Sequence, residues 1–349
     1  MNENSHTVQE VSQFANRYRN RDDGQVVSIH YDPFTVKARL RWKDGGKDWL
    51  IRFTFSGRSS FIDEKVQNEA VAMKFVALST PIPVPRVIAY GTAADNPTGL
   101  GPFIIMTWVE GKKMSDILWN KGDRSSEDND TIMEALYGQM AELLLELWKL
   151  NFDKIGSLAQ TEMTRTISAS RRPSSQGISE LSRVCDLSDH IGPSKIYHSA
   201  VDYVSSLLEL QSIRLQRQQA TIGDTAPYRE QYTALHLMKA IALNFVSRTE
   251  NYGPFKLFAE GLRPENVLVD DSLQVTGVIN WEFCYSAPVQ FAGSMPDWLL
   301  PDAPHVFIKQ RGLRAFLETY IAEASTFLNN IGYDEIKGSR KVSELRFRS

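Results

Sequence analysis

The chain has 349 residues, 39 basic against 42 acidic, and a formal net charge of −3, so charge gives no case for nucleic acid as a partner. Its only cysteines, Cys185 and Cys284, exclude a disulfide scaffold and a four-cysteine zinc site and point to a reducing compartment. With 42% hydrophobic and 23% charged residues, it is an ordinary globular sequence, long enough to bury about three quarters of its unfolded surface.

The N-terminus, MNENSHTVQEVSQF, lacks the apolar stretch of a signal peptide. Apolar runs such as Phe103 to Val109 fall well short of the roughly 20 residues of a membrane helix. A cytoplasmic protein without membrane contact is the expectation.

Residues 1–24 read as an N-terminal helix or extension. Val26 to Ile29 is short and β-branched, and Thr35 to Trp42 alternates apolar with polar residues. The turn cluster Lys43 to Asp48 joins the latter to Trp49–Phe55, which predicts a hairpin. Asp63 to Leu78 has helical spacing, with Asp63 as N-cap. Pro81, Pro83 and Pro85 force an extended link to strands at Val87–Tyr90 and Phe103–Val109, and Glu110-Gly111 ends the second.

Beyond residue 113 the pattern turns helical, with an amphipathic helix over Thr131 to Leu150. Residues 157–196, rich in Ser, Arg and Pro, read as an insertion or long loop. Helical patterns return at Ala200–Ala220, Tyr228–Val246 and Arg314–Leu328, with short strands at Phe255–Phe258, Val267–Val269 and Val275–Ile279. The last dozen residues are basic, as in a frayed terminus.

The chemically informative stretch is Leu262 to Asp270, LRPENVLVD: a polar loop with Pro264, then Asn266 opening a short strand. Fourteen positions on, Asn280 ends a second strand and is followed by Trp281-Glu282. On these residues the chain resembles the aminoglycoside phosphotransferase and choline kinase branch of the kinase-like superfamily, and is most similar to its fungal small-molecule phosphotransferase members. Asp63–Phe75, Ile82–Gly91, Asn96–Gly111, Leu143–Leu158 and Leu262–Tyr285 carry the resemblance, which spans about residues 25 to 300. It implies an α+β, two-lobe protein-kinase-like fold: a β-rich lobe over 25–111, a mainly helical lobe over 112–349 holding the 157–196 insertion, and a cleft between them.

The resemblance also implies roles. Asn266 matches the catalytic-loop Asn, but Gly261 stands where the base should be, Ala259 where a His is common, and Asn280 where a metal-binding Asp should be. Arg52 takes the place of the phosphate-contacting Lys and Glu69 that of its helix partner, either as a vestigial phosphate site or as a plain ion pair. The first turn, His30 to Thr35, has no glycine to bring backbone amides near phosphates. Magnesium favours anionic oxygen ligands, and two neutral amides would hold it poorly. Loss of a general base alone costs roughly 10²- to 10⁴-fold.

Glu260, Glu282 and His30 are the remaining acid–base candidates. Glu260 and Glu265 are expected on a solvated loop face, and Glu282 in a structural tie to the helical lobe. Trp108, Trp281, Tyr285 and Trp298 are candidate substrate contacts. The expected function is binding of a small organic molecule in the cleft by a repurposed enzyme of fungal secondary metabolism, independent of ATP and metal, for a cyclisation or rearrangement. The alternatives are an ATP- and magnesium-dependent phosphotransferase with a displaced carboxylate, and a non-catalytic pseudokinase scaffold or metabolite sensor.

Overall fold

A computed structural model describes residues 3–55, 61–120, 125–161, 165–184, 190–222 and 225–330. The basic C-terminal dozen and Cys185 lie outside the described residues.

Helix α1 (Glu3–Arg19) leads into strands β1 (Gln25–Tyr31), β2 (Thr35–Arg41) and β3 (Trp49–Thr54). Helix α2 (Ile62–Ser79) follows, then β4 (Val87–Gly91) and β5 (Phe103–Thr107). The five strands form one antiparallel sheet in the order β1-β2-β3-β5-β4. Alternation in TVKARLR puts Val36, Ala38 and Leu40 on one face, where they bury against Val11, Phe14 and Ala15 of α1. α2 packs on the other face and is buried along most of its length, through Val66, Ala70, Met73 and Val76. Its N-terminus differs from expectation. The helix starts at Ile62 after Phe61 (φ 59°), and Asp63 is not the cap, because its carboxylate accepts Ala93 N–H at 2.8 Å and anchors the β4–β5 loop instead.

The second region begins with β6 (Lys112–Lys113), α3 (Met114–Leu118) and α4 (Ser126–Trp148). α4 starts five residues before the amphipathic pattern does. Ser125 caps it by accepting Asp128 N–H at 3.1 Å, and Glu127 and Asp128 favour the positive end of the helix. The stretch read as an insertion or long loop holds regular elements among its described residues. After β7 (Asn151–Phe152) it holds β8 (Gly156–Gln160), β9 (Ile167–Arg171) and α5 (Gln176–Val184). Then come α6 (Ala200–Ile222), α7 (Ala226–Ile241), β10 (Phe255–Ala259), β11 (Val267–Val269), β12 (Val275–Val278), β13 (Cys284–Ala287), α8 (Val289–Ala292), α9 (Pro304–Arg311) and α10 (Leu313–Asn330).

A second five-stranded sheet has the order β7-β10-β13-β8-β9, and a small third sheet β12-β11-β6. β13, whose four residues are all buried, lacks the alternation that would have marked it as a strand. One apolar cluster runs from Met73 of α2 through Leu136 and Met140 of α4 to Val267 and Val278. The β-rich N-terminal region and the helical C-terminal region therefore share a core, with α2 inside it. This mixed α/β architecture agrees with the fold class expected from the sequence.

Candidate functional site

The loop after β10 is held by its own hydrogen bonds. Leu262 N–H donates to Ala259 O at 3.0 Å, and Asn266 Nδ2 donates to Gly261 O at 2.9 Å. Ile279 N–H donates to Asn266 O at 2.8 Å, joining this loop to the end of β12. Asn280 is exposed and left-handed (φ 64°), a conformation that Asn tolerates better than most residues. A Cβ at Gly261 would stand 2.3 Å from Asn280 O, so glycine here is a requirement of packing.

These positions offer a magnesium ion no carboxylate ligand. The Asn266 amide is turned into its own loop, and no carboxylate stands at 261 or 280. Both neighbouring cations are neutralised within the protein. Arg52 of β3 pairs with Glu69 of α2, one contact being 3.1 Å, and both are buried. Lys65 of α2 pairs with Glu282. Burial pushes the Glu69 carboxyl up against the attraction of Arg52. Burial also pushes Glu282 up, but Lys65 and Arg52 outweigh it and hold that carboxyl low. The four side chains form one cluster of paired charges, which Lys65 extends to Ser179 at 3.5 Å. Glu282, expected to tie the loop to the helical lobe, ties it to α2 of the N-terminal region instead. Among the described residues, no three His, Cys, Asp or Glu side chains converge as metal ligands.

The other candidates scatter. His30 is 75% exposed and sits 3.2 Å from Asp32 on the outer strand β1. Trp108 lies under the guanidinium of Arg39, which is 4.4 Å from its ring centre. Trp281 is buried and donates Nε1–H to Val278 O at 2.9 Å, a packing role.

Trp298 and Glu260 do come together, whereas Tyr285 is fully buried and does not line the pocket they share. A pocket of about 280 Å³ opens beside the loop, lined by Phe258, Glu260, Arg263, Phe291, Asp297 and Trp298 among others. Glu260 follows directly on β10, which is paired on both sides and holds it firmly. It is half-buried on the pocket wall, contrary to the solvated loop face expected of it, and its Oε2 accepts Gln176 N–H at 2.8 Å. Burial pushes its carboxyl up to about 7, against the donors Gln176 N–H and Tyr285 OH. Glu265, by contrast, lies near Arg263 at 3.9 Å, outside the pocket lining.

Sequence reasoning missed Tyr203 of α6 and the segment from Arg171 to Gln176. Arg172, in the latter, is buried, grips Glu64 of α2 with two bonds of 2.6 and 2.8 Å, and donates to Ile191 O at 2.6 Å. Arg171 reaches Gln67 of α2 at 2.7 Å. A run of Ser, Arg and Pro carries no periodic signal, and only the adjacent arginines hinted at paired acids.

No protein-family model matches the chain. Among curated proteins it is similar to "Altered inheritance of mitochondria protein 9, mitochondrial" of Scheffersomyces stipitis, 31% identical over 117 residues that make up 32% of this chain and 18% of the relative. The protein of the same name from Komagataella phaffii is 29% identical over 138 residues, 38% of this chain and 22% of that one. The matched segment thus spans about a fifth of these relatives' length. Among solved structures, an ethanolamine kinase of Plasmodium vivax superposes with a TM-score of 0.44 at 10% identity, covering 87% of this chain and 72% of the other. A type I macrolide 2'-phosphotransferase superposes with a TM-score of 0.41 at 12% identity, over 95% of this chain and 94% of the other. Both superpositions are loose. The relatives' names overturn the expectation of a cytoplasmic location, since the matched proteins are named as mitochondrial.

Proposed function

We propose that this protein binds a small organic molecule in the pocket beside Glu260 and acts on it by proton transfer, without ATP or metal. The observation that carries the reading is Glu260 itself, a half-buried carboxyl group that accepts Gln176 N–H at 2.8 Å on the wall of a pocket also lined by Phe258, Phe291 and Trp298, where burial pushes it up to about 7. A group titrating near the working pH serves as both acid and base. Phe258, Phe291 and Trp298 offer the flat apolar surfaces that would hold a substrate for cyclisation or rearrangement. The pairing of Arg52 with Glu69 and of Lys65 with Glu282 supports the same reading, because both cations already hold carboxylates. An enzyme repurposed within fungal small-molecule metabolism belongs to this proposal, with the mitochondrial setting that the relatives' names suggest.

The test is a thermal-shift series on the full chain with magnesium-ATP, ATP alone and magnesium alone. No stabilisation by any of the three is expected. A magnesium-dependent rise in melting temperature with ATP would restore the phosphotransferase alternative.

A further inference from the structure

We infer that Arg263 is the specificity-determining residue of the pocket, and that the small organic molecule held there carries a carboxylate, which the Arg263 guanidinium clasps. The inference rests on the reading of the pocket beside Glu260 as a binding site. Among the described residues of the pocket lining, Arg263 is the cation, and Glu260 and Asp297 are the acids. The backbone that carries Arg263 is fixed. Leu262 and Pro264 on either side are buried, and Asn266 N–H donates to Arg263 O at 2.9 Å. The side chain is 34% exposed, so its head group is within reach of a ligand. The protein satisfies that head group poorly. A guanidinium is a fork of N–H donors. Among the described residues, that of Arg263 makes a single hydrogen bond, a long one of 3.4 Å from Nη2 to Asp297 Oδ2. Its Nε is shielded from solvent without a hydrogen-bond partner, and Glu265 Oε2, itself without one, stands off at 3.9 Å.

An arginine that serves the fold is bound differently in this protein. Arg172 holds both oxygens of Glu64, at 2.6 and 2.8 Å, and a backbone carbonyl besides. Arg52 holds both oxygens of Glu69. Arg263 has no such grip. Its partner Asp297 is 56% exposed, and so open and long an ion pair contributes little. A ligand carboxylate that meets both terminal nitrogens would displace Asp297 and gain a planar, two-bond fit. The rest of the wall sets the body of the ligand. Phe258, Phe291 and Trp298 suit a flat ring. The volume of about 280 Å³ lies just under the roughly 300–1,000 Å³ usual for ligand pockets, so the ligand is small. A cationic ligand would meet Arg263 as a like charge. A small aromatic acid is the class that fits: its charge answers Arg263, its ring answers the aromatic wall, and Glu260 on the same wall supplies the acid–base group.

The experiment is a calorimetric titration of the full chain with 2-naphthoate, 2-naphthamide and inorganic phosphate. It is read beside the Nε–H signal of Arg263 in nitrogen-labelled protein, assigned by its loss in Arg263→Lys. The parent is expected to bind 2-naphthoate at least about tenfold more tightly than 2-naphthamide, the worth of a hydrogen-bonded charge contact, and the acid should move the Arg263 signal. Arg263→Gln should bring the acid down to the level of the amide. Asp297→Asn removes the competing carboxylate and should tighten naphthoate binding several-fold. Equal affinity for acid and amide in the parent overturns the inference and leaves the pocket reading standing. So does naphthoate binding that Arg263→Gln leaves unchanged, that Asp297→Asn weakens, or that does not move the Arg263 signal. Phosphate that displaces naphthoate at equal concentration overturns the organic acid in favour of a bare anion site. Failure of all three probes to bind overturns the pocket reading and the inference with it. Should Arg263→Gln fail to fold, acid against amide in the parent still decides.

Discussion

The carbonyl oxygen of Asn280 occupies the space that a side chain at Gly261 would need, 2.3 Å from the place of its Cβ. Positions 261 and 280 are thus coupled sterically. Gly261→Asp is expected to destabilise the protein by more than about 2 kcal/mol in urea unfolding, since the obstacle is backbone and cannot swing away. Asn280→Asp, exposed and left-handed, should stay within about 0.5 kcal/mol. The double variant should show no metal-dependent ATP hydrolysis.

Arg52 and Glu69 form a pair sealed between sheet and helix. Glu69→Ala strands a buried guanidinium and is expected to cost about 3–5 kcal/mol. Replacing both, by Arg52→Met with Glu69→Leu, should cost less than the two single changes summed. A double-mutant cycle in urea measures the difference; strict additivity would show that the pair does not interact.

Arg172 fastens the segment before α5 to Glu64 of α2 and to the Ile191 carbonyl. Arg172→Ala is expected to lower stability by about 2 kcal/mol or more and to speed amide exchange first in α2 and at Gln176. Exchange accelerated evenly over the whole chain would instead mean a general loss of stability without a local role.

The pH dependence tied to Glu260 has a definite sign. Its carboxyl is raised from its ordinary 4.5 to about 7 in the folded protein. Between those values the folded state holds more protons than the unfolded one, so the contribution of Glu260 to stability falls as pH rises through that window. The melting temperature of the parent relative to Glu260→Gln should therefore decline from about pH 4.5 to pH 7 and level off above. A flat difference across this window would contradict a raised Glu260.

His30 offers a contrasting case. Its contact with Asp32 is exposed on an edge strand, and His30→Ala is expected to change stability by less than about 0.5 kcal/mol. Thermal unfolding of this variant checks its exposure.

Much of the architecture was legible because it obeys local periodicities. TVKARLRW and WLIRFTF announced the hairpin by alternation and a polar turn, and the run from Asp63 to Leu78 announced α2 by its spacing. The absence of carboxylates at 261 and 280 was equally plain. What the sequence could not show was the company each residue keeps. β8, β9 and α5 sit in a stretch whose Ser, Arg and Pro gave no period, because their order comes from pairing with β13 and clasping α2. Glu260 looked like one more charged loop residue. Its setting is a pocket wall and a helix N-terminus far from it in the chain, Gln176 being 84 residues away. Residue identity and spacing are one-dimensional and set the elements and the missing carboxylates. Desolvation and hydrogen bonding act through space, so only the tertiary structure decided which acid is half-buried on a pocket wall.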